Sequence, residues 1–249
     1  MQQIKVSIIT IVYNGSKFIE QTIQSVLNQT YKNIEYIIID GGSTDGTIEI
    51  IKKYENNLAY WISEPDNGIA DAFNKGIKLA NGELIGLINA SDWYDSNCIE
   101  NIVKVYQNNK NSVVYGNVVF CNDNGDVKLK GVSNIYKILF YMSIAHQGVF
   151  VPKHIYTTYG LFNINIKIAM DYELMLRYFV NNVSFIKCNE YVAYYREGGV
   201  SNKNIFKSLK EMYFAQKYNI KDKTIRFLCF IYLIYLYFLS LKSRIYVKK

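Results

Sequence analysis

The sequence predicts an α/β protein built on an open, mostly parallel central sheet flanked by helices. Three observations carry this expectation. Apolar, β-branched runs of strand length alternate with segments of helical periodicity through the first 90 residues. The runs are apolar at consecutive positions, as strands covered on both faces must be. Polar clusters at 10–14, 40–45 and 89–92 close three of these runs, at the carboxyl ends of strands, where ligands bind in sheets of this kind.

The elements follow in order. Residues 6–12 (VSIITIV) form the first buried strand and stop at Tyr13-Asn14-Gly15. Phe18, Ile19, Ile23, Val26 and Leu27 then recur at helical spacing. Residues 34–39 form the second strand, ending at Asp40. Gly41 and Gly42 permit a tight turn, and Ser43 or Asp45 is placed to cap a helix whose face is Ile48, Ile51 and Tyr54. A third strand is predicted over 58–62. Residues 69–80 form a helix with Phe73 and Ile77 inward, stopped by Asn81-Gly82, and 84–88 form a fourth strand closing at Asn89-Ala90-Ser91-Asp92. The second half is less regular. Strands at 113–120 and 127–129 flank Asn122-Asp123-Asn124-Gly125, a hairpin turn. A short strand is expected at 147–151, a helix from Asp171 to about Phe179, strands at 183–186 and 191–195, and a helix over 203–218.

Composition narrows the class. Half of the 249 residues are hydrophobic, enough for a sizeable core, and two prolines leave no Pro-rich linker. The four cysteines are far apart and form no C-x-x-C, so neither a disulfide framework nor a thiolate zinc site is expected, and a reducing compartment fits. The first residues lack the basic and small-residue features of a secretory leader. Net charge is +7, unevenly spread: from Lys203 onward eleven Lys/Arg stand against Glu211 and Asp222, so that stretch carries +9 and the rest −2. Within it, residues 227–239 contain no charge and many aromatics, shorter than the ~20 apolar residues of a spanning helix. Tyrosines and basic flanks suit a membrane interface; a helix packed on the body or on a second subunit is the other reading. The division is therefore a body over 1–218 and a basic, apolar helical extension over 219–249, with nucleic acid not expected as a partner.

The segment Asp40-Gly-Gly-Ser-Thr-Asp-Gly-Thr47 is the most informative. A carboxylate at a strand end can accept hydrogen bonds from a base or ribose hydroxyl, and glycines such as Gly42 let backbone approach a ligand closely; the same residues also serve an ordinary strand-turn-helix connection. Taken together with Thr10-x-x-Tyr13-Asn14, with Ser63-Glu-Pro-Asp66-Asn67-Gly-Ile-Ala-Asp-Ala-Phe-Asn74-Lys75-Gly76, and with Ile88-Asn89-Ala-Ser91-Asp92-Trp-Tyr94, it resembles glycosyltransferase family 2. Ala145-His146-Gln147-Gly148, Ala169-Met-Asp171-Tyr-Glu-Leu-Met-Leu-Arg177 and Arg196-Glu-Gly-Gly-Val-Ser201 extend the likeness, which covers residue 4 to about 201 and is closest to transferases building bacterial O-antigens, capsules and exopolysaccharides.

The resemblance implies a GT-A fold and inverting sugar transfer from a UDP-type nucleotide donor to a saccharide acceptor, often lipid-linked, in the cytoplasm or peripherally at the cytoplasmic face of a bacterial inner membrane. It also implies roles. Thr10, Tyr13, Asn14 and Asp40 hold uracil and ribose; Asp66, Asn67, Asn74 and Lys75 lie along the nucleotide and diphosphate. Asn89, Ser91 and Asp92 occupy the family's metal-binding acidic motif, with Asp92 as metal ligand for Mg²⁺ or Mn²⁺. His146 and Gln147 line the sugar or acceptor pocket, Asp171 stands at the catalytic base, and Arg196 and Ser201 sit near the diphosphate. The family usually has Asp where this chain has Ser91, and often Asp where it has Asn89; hard cations favour carboxylate oxygens. Trp93 and Tyr94 are expected to pack beside the site, and His154 to lie on the surface. Two rivals stay open: a non-catalytic nucleotide-sugar-binding scaffold, which Ser91 favours, and a sugar nucleotidyltransferase, which should carry a Gly-rich phosphate loop where Thr10 to Gly15 has none.

Overall fold

The computed structural model describes residues 3–198 and 204–246. Strands β1 (Val6–Val12), β2 (Ile34–Asp40), β3 (Tyr60–Ser63) and β4 (Leu84–Asn89) pair in parallel in the order β3-β2-β1-β4. Helices α1 (Ile19–Leu27), α2 (Thr47–Lys53) and α3 (Ile69–Leu79) make the crossovers. The register places the ends of β1 and β2 side by side, Val12 opposite Asp40, with Ile11 opposite Asn89 of β4, so all three polar clusters open on one edge.

Alternation within the strands explains why both faces are covered. Ile9, Ile11, Ile37 and Ile39 join one core with Phe73 and Ile77 of α3, while Val6, Ile8, Val12, Tyr36 and Ile38 join the other with Ile19, Ile23 and Val26 of α1. Full burial of a side chain such as Phe73 or Ile23 contributes roughly 1.5–3 kcal/mol.

Beyond β4 the sheet becomes mixed. Strands β5 (Trp93–Tyr94), β6 (Ser112–Cys121), β7 (Val127–Gly131), β8 (Val149–Pro152) and β9 (Ser184–Arg196) continue it as β4-β8-β6-β9-β5, with β7 on β6. β8 is antiparallel to β4 and β6, whereas β6 and β9 run parallel. The segments expected as separate strands at 183–186 and 191–195 are one strand with a register irregularity opposite Tyr115–Val118. Two helices not anticipated, α4 (Cys98–Gln107) and α5 (Lys153–Tyr159), cover the sheet; α4 seats Ile99, Ile102, Val103 and Tyr106 in the second core. Helix α6 (Met170–Val180), α7 (Ile205–Asn219) and α8 (Lys223–Tyr246) complete the chain, α8 spanning more than the apolar run on which it was recognised.

Smaller differences have local causes. Residues 55–57 form a 3₁₀ turn, so β3 starts at Tyr60 rather than 58, and 146–148 form another ahead of β8. The N-cap of α2 is Gly46 in the left-handed region, with no side-chain cap bond of its own. Asp45 takes the Thr47 N–H (3.1 Å) and hydroxyl (2.5 Å), while Ser43 is engaged by Asp40. In the β6–β7 hairpin Gly125 has φ +90 and Asn122 Oδ1 accepts from the amides of Asn124 and Asp126, as the turn sequence predicts.

Candidate active site

The three loops at the carboxyl edge are tied to one another before any ligand is considered. Asn14, with φ +49, accepts from the Thr44 amide on Oδ1 (2.9 Å) and donates its own amide to Ser43 Oγ (2.7 Å). Gly15 N donates to Thr47 Oγ1 and Ser16 N to Asp45 Oδ2. Hydrogen bonds led by Thr47 hold the Asp45 carboxyl well below the usual carboxylate range. Asp40 is fully buried. Its oxygens accept from Ser43 Oγ (2.5 Å), Ser63 Oγ (2.6 Å), Ser43 N (2.9 Å) and Gly42 N (3.1 Å), so the carboxylate shapes the 41–43 turn from within. Thr10 is likewise buried, its hydroxyl 2.9 Å from Tyr36 Oη.

What opens at this end is a different set. Tyr13 is largely exposed at the end of β1, and Asp66 Oδ1 accepts from Gly68 N (2.7 Å). A side chain at Gly41 would place its Cβ 2.5 Å from Asp66 Oδ2 and 3.4 Å from the Tyr13 ring. The bare backbone at 41 therefore makes room for a carboxylate delivered from the 63–68 loop. That loop is held by Lys75, whose ammonium contacts Glu64 (2.7 Å) and Pro65 O (3.0 Å), and by Lys167, which donates to Asn67 O (2.7 Å). Asn74 points away, clamping Phe162 through both its amide groups.

Next to this edge lies a cleft of about 470 Å³ lined by Asn89, His146, Gln147 and Asp171, with Lys167, Ser143, Tyr141, Tyr195 and Met212 among its other walls. Four sequence candidates thus meet in one cavity. Asn89 Nδ2 lies 3.0 Å from His146 Nε2; with Asn89 donating, the imidazole proton sits on Nδ1, which faces Asp171 Oδ2 at 3.6 Å. Asp171 belongs to the first turn of α6, whose positive end favours a carboxylate, and accepts from Tyr172 N (2.7 Å). Its side chain remains about a quarter exposed.

Asp92 is the opposite case. It is completely buried, and burial pushes its carboxyl up against the hydrogen bonds that hold it. Oδ2 accepts from Gln147 Nε2 (2.7 Å) and Asn89 Nδ2 (3.2 Å), and Oδ1 from Arg196 N (3.0 Å). Arg196 is buried as well. Its guanidinium lies over Phe18 (4.2 Å) and Trp93 (4.9 Å) and donates to Gln21 Oε1 (2.7 Å), Ser91 O (3.2 Å) and Asp123 O. Trp93 stacks on Tyr194, as packing beside the site implies. Among the described residues no group of three His, Cys, Asp or Glu is placed to hold a metal ion. Asp92 is the one carboxylate of the 89–92 motif and is already engaged by three donors, so a divalent cation held here would draw its remaining ligands from substrate phosphates. Ser201 lies outside the described residues.

Residues 7–166 match the family description "Glycosyl transferase family 2". The chain belongs to this family. It is an enzyme of sugar transfer with a GT-A fold, in keeping with its solved neighbours. It is 28% identical over 203 residues to a PGL/p-HBAD biosynthesis glycosyltransferase of Mycobacterium bovis, covering 79% of this chain and 78% of the relative. A glycosyltransferase of Rickettsia conorii is 31% identical over 188 residues, covering 70% of this chain and 31% of its own. Among solved structures, S. aureus TarS 1–349 in complex with UDP superposes with a TM-score of 0.66 at 18% identity, covering 89% of this chain and 68% of that one. The mannosyltransferase PcManGT of Pyrobaculum calidifontis, in complex with GDP-Man and Mn²⁺, gives 0.69 at 18% identity, covering 94% and 70%.

Sequence reasoning missed Lys167 and Ser143. Lys167 lines the cleft and bridges it to the 63–68 loop, and Ser143 Oγ is buried on the cleft wall without a hydrogen-bond partner. Neither stands in a recognisable motif; both lie in irregular segments whose path depends on packing against α6 and α7.

Proposed function

We propose that this family 2 enzyme is an inverting glycosyltransferase that moves a sugar from a UDP-type donor to a saccharide acceptor carried on a lipid, in bacterial surface polysaccharide synthesis at the cytoplasmic face of the inner membrane. Residues 1–218 form the transferase unit and 219–249 its membrane-proximal extension. Meeting of His146 and Asp171 in one cleft, beside an edge where Tyr13, Asn14, Gly42, Asp66 and Asn67 gather, is the observation that carries the reading.

The chemistry needs one base and one open face. Asp171 takes the proton of the acceptor hydroxyl. The freed oxygen bonds to the anomeric carbon while the bond from that carbon to the diphosphate oxygen breaks on the opposite side, and the electron pair leaves with the nucleotide. His146, oriented by Asn89, presents Nδ1–H to the carboxylate and steadies it as its charge changes. Lys167 is the one Lys or Arg lining the cleft among the described residues. Asp92 would be the one protein carboxylate offered to Mg²⁺ or Mn²⁺, with the donor diphosphate supplying the other anionic ligands and the cation neutralising the departing diphosphate's charge.

A panel of UDP- and GDP-sugars incubated with the purified chain tests the reading. Release of UDP from a UDP-sugar, with an inverted anomeric configuration in any glycoside formed, is expected. Binding without release of nucleotide from any donor would support a scaffold instead, and sugar-1-phosphate formation with pyrophosphate would support a nucleotidyltransferase.

A further inference from the structure

Helix α8 packs on the body along one side, where Phe230 and Tyr237 also meet the rings of Tyr213 and Phe206 of α7. Cys229 and Leu233 are buried, Leu236 packs on the same core, and Tyr232 contacts the rings of Phe140 (5.5 Å) and Tyr141 (5.8 Å). The opposite side is uncovered and apolar: Phe227, Leu228, Ile231, Ile234, Tyr235 and Phe238 are each between 41% and 62% exposed. No charged residue interrupts the run between Arg226 and Lys242. Helix α7 adds Phe206, Phe214 and Tyr218 to the exposed apolar surface. So many large apolar side chains left half-exposed on one helical hairpin mark an interaction surface.

The charges around this face say what covers it. Lys207, Lys210, Lys217, Lys221 and Lys223 are exposed, and none makes an ion pair among the described residues. The two acids of the hairpin are occupied: Glu211 accepts from Ile168 N and Ala169 N, and Asp222 from Ile225 N. A second copy brought against the face would press lysines onto lysines. An anionic bilayer satisfies both features at once, taking the aromatic and aliphatic side chains below the headgroups and the lysines among them.

We infer that the α7–α8 hairpin is an in-plane foot resting on an anionic lipid surface, rather than a membrane span. The window Lys223–Ser240 is long and apolar enough to cross a bilayer by length and composition. Its buried stripe, however, shares one core with α6 and α7, and a crossing helix would have to leave that core. The foot adjoins the cleft: Tyr141 lines the cavity and stacks on Tyr232 of α8, and Met212 of α7 lines the same cavity. A lipid-carried acceptor therefore reaches Asp171 from the bilayer side, a step that rests on the transferase reading above; attachment to lipid does not.

The test is flotation of the full chain with phosphatidylcholine vesicles, with and without phosphatidylglycerol, read alongside nucleotide release from the donor. Association roughly tenfold or more tighter with the anionic vesicles, reversed by alkaline carbonate, is expected. F227E/I231E/F238E should lose flotation at least tenfold, and K217Q/K221Q/K223Q should lose the preference for phosphatidylglycerol. Both should keep donor turnover and melting temperature near those of the parent. Equal flotation of parent and F227E/I231E/F238E, indifference to phosphatidylglycerol, or resistance to carbonate overturns the foot. So does a lipid-free dimer that F227E/I231E/F238E dissolves. Absent nucleotide release with intact flotation overturns the transferase reading alone.

Discussion

Replacing Asp92 by alanine separates two accounts of the residue. If Asp92 were a surface metal ligand, its removal would leave the fold intact and abolish only a response to Mg²⁺ or Mn²⁺. The structure instead makes it the acceptor for Gln147 Nε2 at 2.7 Å, Arg196 N at 3.0 Å and Asn89 Nδ2 at 3.2 Å, in a site fully closed to water. Asn89 keeps His146 as a partner when Asp92 is lost, but Gln147 and Arg196 N are left buried and unpaired. Each orphaned donor costs about 1–3 kcal/mol, so the pair amounts to roughly 2–6 kcal/mol. Relief from desolvating the carboxylate works in the other direction, so a net loss of about 2–4 kcal/mol is expected, a large share of the ~5–15 kcal/mol that holds a domain folded. Urea denaturation followed by tryptophan fluorescence reads this directly, since Trp93 lies over Arg196. D92N, which keeps one acceptor oxygen, should lose less than D92A. An unchanged urea midpoint for D92A, with nucleotide affinity altered only when Mn²⁺ is present, would refute the reasoning.

Three further outcomes follow from the same geometry. D171N should lower turnover by roughly 10²–10⁴-fold while leaving UDP affinity by calorimetry unchanged; retained turnover removes Asp171 from the base position. G41A places a Cβ 2.5 Å from Asp66 Oδ2, so the carboxylate must move, and UDP affinity should fall by about tenfold, or ~1.4 kcal/mol; equal affinity would show that Asp66 does not meet the nucleoside. Burial alone would raise the Glu35 carboxyl, but the Ser7 hydroxyl, the Asn81 amide and the Lys5 ammonium outweigh it and bring it from 4.5 to about 2. A depressed carboxyl contributes stability that is fully present above about pH 4.5 and lost as pH falls towards 2. E35Q should flatten that stretch of the stability-pH curve relative to the parent, and a parallel pair of curves would contradict the assignment.

The first half of the fold was legible because each strand there is covered on both faces, so the apolar runs at 6–12, 34–39 and 84–88 mark it without knowledge of neighbours. The second half was less so. β9 was read as two strands because Lys187 to Glu190 break the apolar pattern, and only pairing with β6 across an irregular register carries the strand through them. α4 displays Cys98, Ile99, Ile102, Val103 and Tyr106 at helical spacing, a pattern as visible as that of α3, yet it was not anticipated. The site divides along the same line. His146 and Asp171 are 25 residues apart in sequence and 3.6 Å apart in space, and family likeness placed both near catalysis without showing that they touch. Motif positions also do not reveal which way a side chain points: Thr10, Asp40 and Asn74 stand in the expected segments with their polar atoms turned inward onto Tyr36, Ser43 and Phe162.

The departure at Ser91 and the burial of Asp92 have one physical explanation. Ser91 Oγ lies 3.5 Å from Asp92 Oδ1. A carboxylate at 91 would set a second negative charge beside a buried one, and at that spacing the repulsion calls for a cation between them or a proton on one of the two. With a hydroxyl at 91 and an amide at 89 the local charge is a single carboxylate, and neutral donors suffice to hold it: Gln147, Asn89 and the Arg196 backbone. The amide at 89 also turns its second proton to His146, fixing the imidazole that faces Asp171. The motif is therefore a hydrogen-bonded strut that runs from the buried Arg196 through Asp92, Asn89 and His146 to the proposed base.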